Sequence, residues 1–131
     1  MSELKGPCVL LVEDEPIILA VIETELADAG FEVVSHGRSS DALAELENGV
    51  ERFAALVTDI DLGSLPNGWQ LARTARELSP AMVVIYASGR RAIDFPHEGV
   101  PDSIMLQKPF AAAQLITALA SKLNTTPIAS A

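Results

Sequence analysis

At 131 residues with a net charge of −9, the chain has the length of one domain, enough to bury roughly two-thirds of the surface its unfolded form would expose. No basic run exceeds the pair Arg90-Arg91, so a nucleic-acid phosphate backbone would be repelled and nucleic-acid binding is not expected. The lone cysteine, Cys8, excludes an internal disulfide and reads as a small buried side chain in a reducing compartment.

The apolar stretch Ile17 to Ile22 falls far short of a membrane span. The opening residues MSELK lack the long apolar segment of a signal peptide, so a soluble cytoplasmic protein without a membrane partner is expected.

Val9-Leu10-Leu11-Val12 is an aliphatic run between Gly6-Pro7 and Glu13-Asp14-Glu15, the pattern of a strand buried on both faces. Pro16 suits the first turn of a following helix, where its missing N–H costs nothing, and Gly30 supplies the stop after about Ala29. Ile18, Val21, Ile22, Glu25 and Leu26 are expected to place mostly apolar side chains on one face. Phe31 to Ser35 predicts a second strand, with His36-Gly37 as turn. A short helix then starts from Ser39 or Ser40 as cap, turns Ala42, Leu43 and Leu46 inward, and stops near Asn48-Gly49.

Phe53 to Thr58 reads as the third strand. It ends in Asp59, and after a loop to Asn67 a helix spans Gly68 to Leu78 with Trp69, Leu71, Ala72, Ala75 and Leu78 on one face. Met82 to Ala87 is the fourth strand, ending at Ser88-Gly89. Residues 90–102 contain Pro96, Gly99 and Pro101, so only a turn or two of helix is expected there. Ser103 to Leu106 makes a short fifth strand, Lys108-Pro109 turns the chain, and 111–123 forms a last amphipathic helix. Residues 124–131 are small and polar and are expected to be a disordered tail.

Strands alternating with helices imply a parallel sheet covered on both faces, and in such sheets ligands bind at the carboxyl ends of the strands. Those ends carry Glu13 and Asp14, then Asp59, then Ser88, then Lys108. Two like charges ~4 Å apart cost on the order of 4 kcal/mol at a surface-like dielectric, so three acids beside one ammonium call for a cation. Hard oxygen ligands with water nearby suit Mg²⁺. His36 and His97 stand in turn contexts without metal-ligand spacing, which leaves them as solvated surface residues and leaves zinc and a Ser-His-Asp triad without support.

Four segments in order on successive strands, VLLVEDE at 9–15, LVTDIDL at 56–62, VVIYASG at 83–89 and LQKPF at 106–110, resemble the receiver domain of bacterial two-component response regulators. The resemblance implies a single receiver domain over 1–131 with its core at 8–123. It also implies a doubly wound, flavodoxin-like (CheY-like) five-stranded parallel sheet of order 2-1-3-4-5, with a short or irregular fourth helix.

By the same resemblance Asp59 is the phosphoacceptor, served by Ser88 and Lys108. Glu13, Asp14, Asp59 and the backbone carbonyl of Asp61 would hold Mg²⁺. The donor would be a sensor histidine kinase or a histidine phosphotransfer protein. The chain would act as a monomer or weak dimer, and as a phosphoacceptor signalling domain with no enzymatic activity beyond its own phosphotransfer and dephosphorylation. The family commonly has a cis bond before the proline of Lys108-Pro109, where local sequence favours trans.

Three features depart from the common pattern. Pro66 and Gly68 lie farther along the loop after Asp59, and Met105 stands where many members carry Tyr or Phe. YASG at 86–89 is the counterpart of a Phe-Ala-Thr-Gly-like strand end found in one receiver subgroup, with Tyr86 either a movable aromatic or a core residue. Alternative functions are a phosphate sink, a hybrid-kinase receiver module, an interaction module that keeps the fold without phosphorylation, and a Mg²⁺-dependent phosphohydrolase. No cap domain or enclosing loop supports the last.

Overall fold

Side-chain parity along the aliphatic runs sorts the core into two halves. In the computed structural model, which describes residues 6–124, the strands β1 (Cys8–Val12), β2 (Glu32–His36), β3 (Ala55–Asp59), β4 (Val83–Ser88) and β5 (Ile104–Gln107) form one parallel sheet. Its order is β2-β1-β3-β4-β5. Successive side chains in a strand point to opposite faces, so odd and even residues enter different cores. Val9, Leu11, Ala55, Val57, Val83 and Ile85 pack on one side with Leu26, Leu115 and Leu119 of α1 (Pro16–Asp28) and α5 (Ala112–Asn124). Leu10, Val12, Leu56, Val84 and Tyr86 pack on the other, against α2 (Ser39–Gly49) and α3 (Gly68–Leu78).

The pairing register brings the carboxyl ends of the central strands to one level. Val12 lies opposite Thr58, Asp59 opposite Ala87, and Ser88 opposite Gln107. The loops that leave these strands therefore meet in one crevice. Between β4 and β5 the chain makes only a 3₁₀ turn at Arg91–Asp94 and the four-residue helix α4 (Phe95–Glu98), the short fourth helix expected from Pro96, Gly99 and Pro101.

Local chemistry fixes the helix ends. Gly30 follows α1 with φ of 102°, a left-handed conformation that any side chain would resist. Asn67 and Gln70 form a reciprocal capping box at the start of α3, with Gln70 N–H donating to Asn67 Oδ1 at 2.9 Å and Asn67 N–H to Gln70 Oε1 at 2.8 Å.

Several expectations are corrected. Ser39 is the first helical residue of α2 and no cap; its hydroxyl is fully buried and meets the Ser64 hydroxyl at 3.3 Å. β3 begins at Ala55, because a 3₁₀ turn at Val50–Arg52 carries the chain through Phe53 before it extends. Leu78 and Val21 are solvent-exposed, since α1 and α3 carry wider apolar stripes than the sheet covers. His36 ends β2 rather than opening a turn, and its Nε2 meets Glu45 Oε2 at 2.7 Å, a bond that holds the Glu45 carboxyl below its ordinary range. The Lys108-Pro109 bond is cis, as the resemblance implies, and Leu65-Pro66 is cis as well. Asn124 is helical, and the rest of the expected tail lies outside the described residues.

Replacing Asn67 with Ala removes one half of the capping box, and urea denaturation is expected to show a loss of about 1 kcal/mol.

Candidate functional site

The three acids converge because two strand ends and one loop deliver them. β1 ends at Val12, so Glu13 and Asp14 emerge together, and the Glu13 N–H remains tied to the sheet through the His36 carbonyl at 3.2 Å. Asp59 is the last residue of β3. One oxygen from each of Glu13, Asp14 and Asp59 can be chosen so that all lie within 4.8 Å of one another, with Asp14 exposed and the other two buried.

Lys108, on the loop after β5, reaches into this cluster. Its Nζ lies 2.7 Å from Glu13 Oε1 and 3.3 Å from Asp59 Oδ2. The second Glu13 oxygen accepts the Glu15 N–H at 3.2 Å. Asp59 Oδ1 accepts the N–H of Ile60 at 2.7 Å, which fixes the plane of the carboxylate and leaves Oδ2 facing the ammonium. The Lys108 N–H also donates to the Ser88 carbonyl at 3.0 Å, extending the β4–β5 ladder by one bond so that the lysine has a defined origin.

Burial sets the electrostatics of the cluster. Burial raises the Glu13 and Asp59 carboxyls above their ordinary range, and the nearby ammonium only partly offsets this. Burial alone would lower Lys108, yet the hydrogen bond to Glu13 and the charge of Asp59 outweigh it and leave the amine raised. All three groups are displaced toward holding protons. A site with this bias is short of positive charge. Its donors are carboxylate oxygens, with an exposed one at Asp14, and they fit a hard divalent cation that keeps some of its waters.

Ser88 is buried at the end of β4, and its Oγ accepts the Arg91 N–H at 2.9 Å. That bond uses a lone pair and leaves the hydroxyl proton free to be donated elsewhere. Asp61 stands apart from the acid cluster by its side chain, which is exposed and meets Arg91 Nε at 3.4 Å. Arg91 also reaches Asp94 at 3.7 Å, at the edge of the crevice. Sequence reasoning gave Arg91 no role, because a surface Arg-Arg pair carries no spacing signal.

It also overlooked the reason for Gly68. A Cβ there would stand 2.2 Å from the Asp59 carbonyl oxygen and 2.7 Å from the Ile60 Cα, so the start of α3 presses directly on the backbone that aims Asp59. The signal was the glycine at the first helical position, where nothing in helix propensity asks for one.

Tyr86 lies fully buried between Trp69, 4.7 Å away between ring centroids, and Phe95 at 6.0 Å. Its hydroxyl accepts the Val100 N–H at 3.0 Å. Met105 pairs with it across the β4–β5 ladder and packs against the same half of the core.

Comparison with known proteins agrees with this geometry. The family model of the response regulator receiver domain matches residues 9–120. The chain belongs to that family. It is 29% identical over 117 residues to the response regulator receiver protein CpdR of Brucella abortus, covering 88% of this chain and 95% of that one. A crystal structure of a response regulator receiver protein from Sinorhizobium medicae superposes with a TM-score of 0.89 at 44% identity, over 94% of this chain and 98% of the other.

A third relative is the receiver domain of a sensor histidine kinase from Pseudomonas aeruginosa, solved with a magnesium ion coordinated in its active site cleft. It matches with a TM-score of 0.78 at 25% identity, covering 92% and 99% of the two chains. The protein is thus a CheY-like receiver of the two-component phosphorelay, a family of signalling phosphoacceptors that bind Mg²⁺ in an acidic site and work with sensor histidine kinases. Among the described residues of this receiver, no helix is long and apolar enough to cross a membrane.

The displaced carboxyls give the receiver a testable pH signature. Because the folded pKa of Asp59 lies above its unfolded value, its contribution to stability is complete below the unfolded pKa and is lost as pH rises through the folded one. Asp59→Asn is therefore expected to melt above wild type at neutral pH, with the gap closing as pH falls into the carboxylate range. Calorimetry across that range checks both the sign and the slope. Gly68→Ala is expected to cost about 1–3 kcal/mol, as an overpacked contact does, and also to weaken binding of added Mg²⁺ in a calorimetric titration.

Proposed function

We propose that Asp59 is the residue of this receiver that accepts the phosphoryl group, with Glu13, Asp14, Asp59 and the Asp61 backbone carbonyl as the Mg²⁺ ligands. The observation that carries this reading is the asymmetry of the Asp59 carboxylate. Oδ1 is held by the Ile60 amide, while Oδ2 points into the crevice beside Lys108. An oxygen so oriented is a nucleophile with one direction of attack. Mg²⁺ held by these residues would supply charge neutralisation for the phosphoryl oxygens.

The chain's own groups do the rest. The Ile60 amide keeps the carboxylate plane fixed while Oδ2 bonds to phosphorus and the P–N bond of a phosphohistidine breaks. Lys108 is already within reach of Oδ2 and pairs with a phosphoryl oxygen of the product. The Ser88 hydroxyl, whose proton is free, rotates to donate to another. The single receiver unit spans 8–123 in this reading.

A phosphohistidine donor, either a sensor histidine kinase or a histidine phosphotransfer protein, needs a surface next to the crevice. A groove lined by Ile17, Ile18, Val21 and Ile22 of α1 and by Pro109 and Phe110 runs up to Lys108 itself. Ile17 is 80% exposed and Val21 55%. Apolar side chains left this open at the edge of a charged site favour a protein donor over a small metabolite.

Incubation with acetyl phosphate and Mg²⁺, followed by intact mass, is expected to show one base-labile phosphoryl group on wild type and none on Asp59→Asn. An adduct that survives the substitution would place the acceptor elsewhere. Mg²⁺ at about ten times its dissociation constant is expected to stabilise the wild type by about 1.4 kcal/mol, a gain reduced in Asp14→Asn.

A further inference from the structure

Tyr86 and Ser88 are two residues apart on β4 and so stand on the same face of the sheet. Both hydroxyls accept a backbone N–H from the connection to β5. Ser88 Oγ takes that of Arg91 at 2.9 Å, and the Tyr86 hydroxyl takes that of Val100 at 3.0 Å. The ten residues from Arg91 to Val100, which hold the 3₁₀ turn and α4, are therefore clipped at each end by one β4 side chain.

The two clips differ in freedom. The Ser88 hydroxyl moves by rotation about one bond. The Tyr86 ring is fully buried, tilted against Trp69 at 4.7 Å and edge-on to Phe95, and cannot leave without opening the core. Around Val100 the anchoring is dense: the Ser103 hydroxyl donates to the Val100 carbonyl at 2.5 Å, and Arg76 donates to the Pro101 carbonyl at 2.5 Å. Near Arg91 the remaining side-chain ties are exposed ion pairs to Asp61 and Asp94, which are worth little in water. Between the two ends, Ile93 is 82% exposed.

We propose that the Tyr86 phenol is a positioning group that fixes the Val100 end of this segment as a pivot. When the Ser88 hydroxyl turns toward a phosphoryl group on Asp59, the Arg91 end is released and the segment, with Ile93 on it, swings about Val100. The inference rests on Asp59 being the phosphoacceptor. It gives Tyr86 a stationary role, opposite to that of a movable aromatic, and a specific need for its hydroxyl. The chain has no second tyrosine, and Met105 beside it offers no donor or acceptor of comparable strength.

The test uses the full chain as wild type, Tyr86→Phe and Ser88→Ala, with amide exchange and chemical shifts read by NMR before and after addition of beryllofluoride and Mg²⁺. Without additive, Val100 is expected to exchange about tenfold faster in Tyr86→Phe with Arg91 unchanged, and Arg91 faster in Ser88→Ala with Val100 unchanged. With beryllofluoride, Arg91 and Ile93 are expected to shift in wild type while Val100 stays, and Val100 to join them in Tyr86→Phe.

Equal Val100 protection in wild type and Tyr86→Phe would overturn the proposal, as would a wild-type Val100 shift as large as that of Arg91. If the resting-state differences appear but neither beryllofluoride nor acetyl phosphate perturbs wild type, the phosphoacceptor reading fails while the tether itself stands.

Discussion

Two buried carboxylates share one ammonium, and the site is arranged around that deficit. Lys108 spans Glu13 and Asp59 across a long loop in sequence, joining the turn after β5 to the ends of β1 and β3. Each oxygen of the pair has a hydrogen-bond partner, yet burial raises both carboxyls and the one ammonium only partly offsets it. The imbalance is a standing cost to the folded state, and it is also what makes the crevice receptive to a divalent ion.

The strand ends could be read from the residues because they break a strong pattern. Val9 to Val12, Leu56 to Thr58 and Val83 to Ala87 are buried on both faces, and an acid or hydroxyl at the end of such a run has nowhere to sit but the crevice. Parity then forced which helices cover which side chains. The fourth helix was legible as short, because two prolines and a glycine within 90–102 leave no room for regular turns.

What escaped was whatever depends on approach between segments distant in sequence. The contact of Ser39 with Ser64 looked like an ordinary cap, since a serine before an apolar-periodic run is the usual cap signal. Val21 looked internal because periodicity reports that a stripe is apolar, and says nothing about whether a neighbour covers all of it. Arg91 and the hydroxyl of Tyr86 find their partners 30 and 14 residues away, a separation with no periodic trace.

The division of the core by strand parity has one further effect. Leu26, Leu115 and Leu119 lie beneath the helices that border the apolar groove, whereas Trp69 and Tyr86 lie beneath the segment from Arg91 to Val100. The sheet stands between them as a wall of backbone, and side chains of the two half-cores do not interdigitate. Substitutions that reshape one half need not disturb packing in the other. Side-chain changes can therefore accumulate in one half-core while the other keeps its packing, and the strand-end crevice is where the two halves meet.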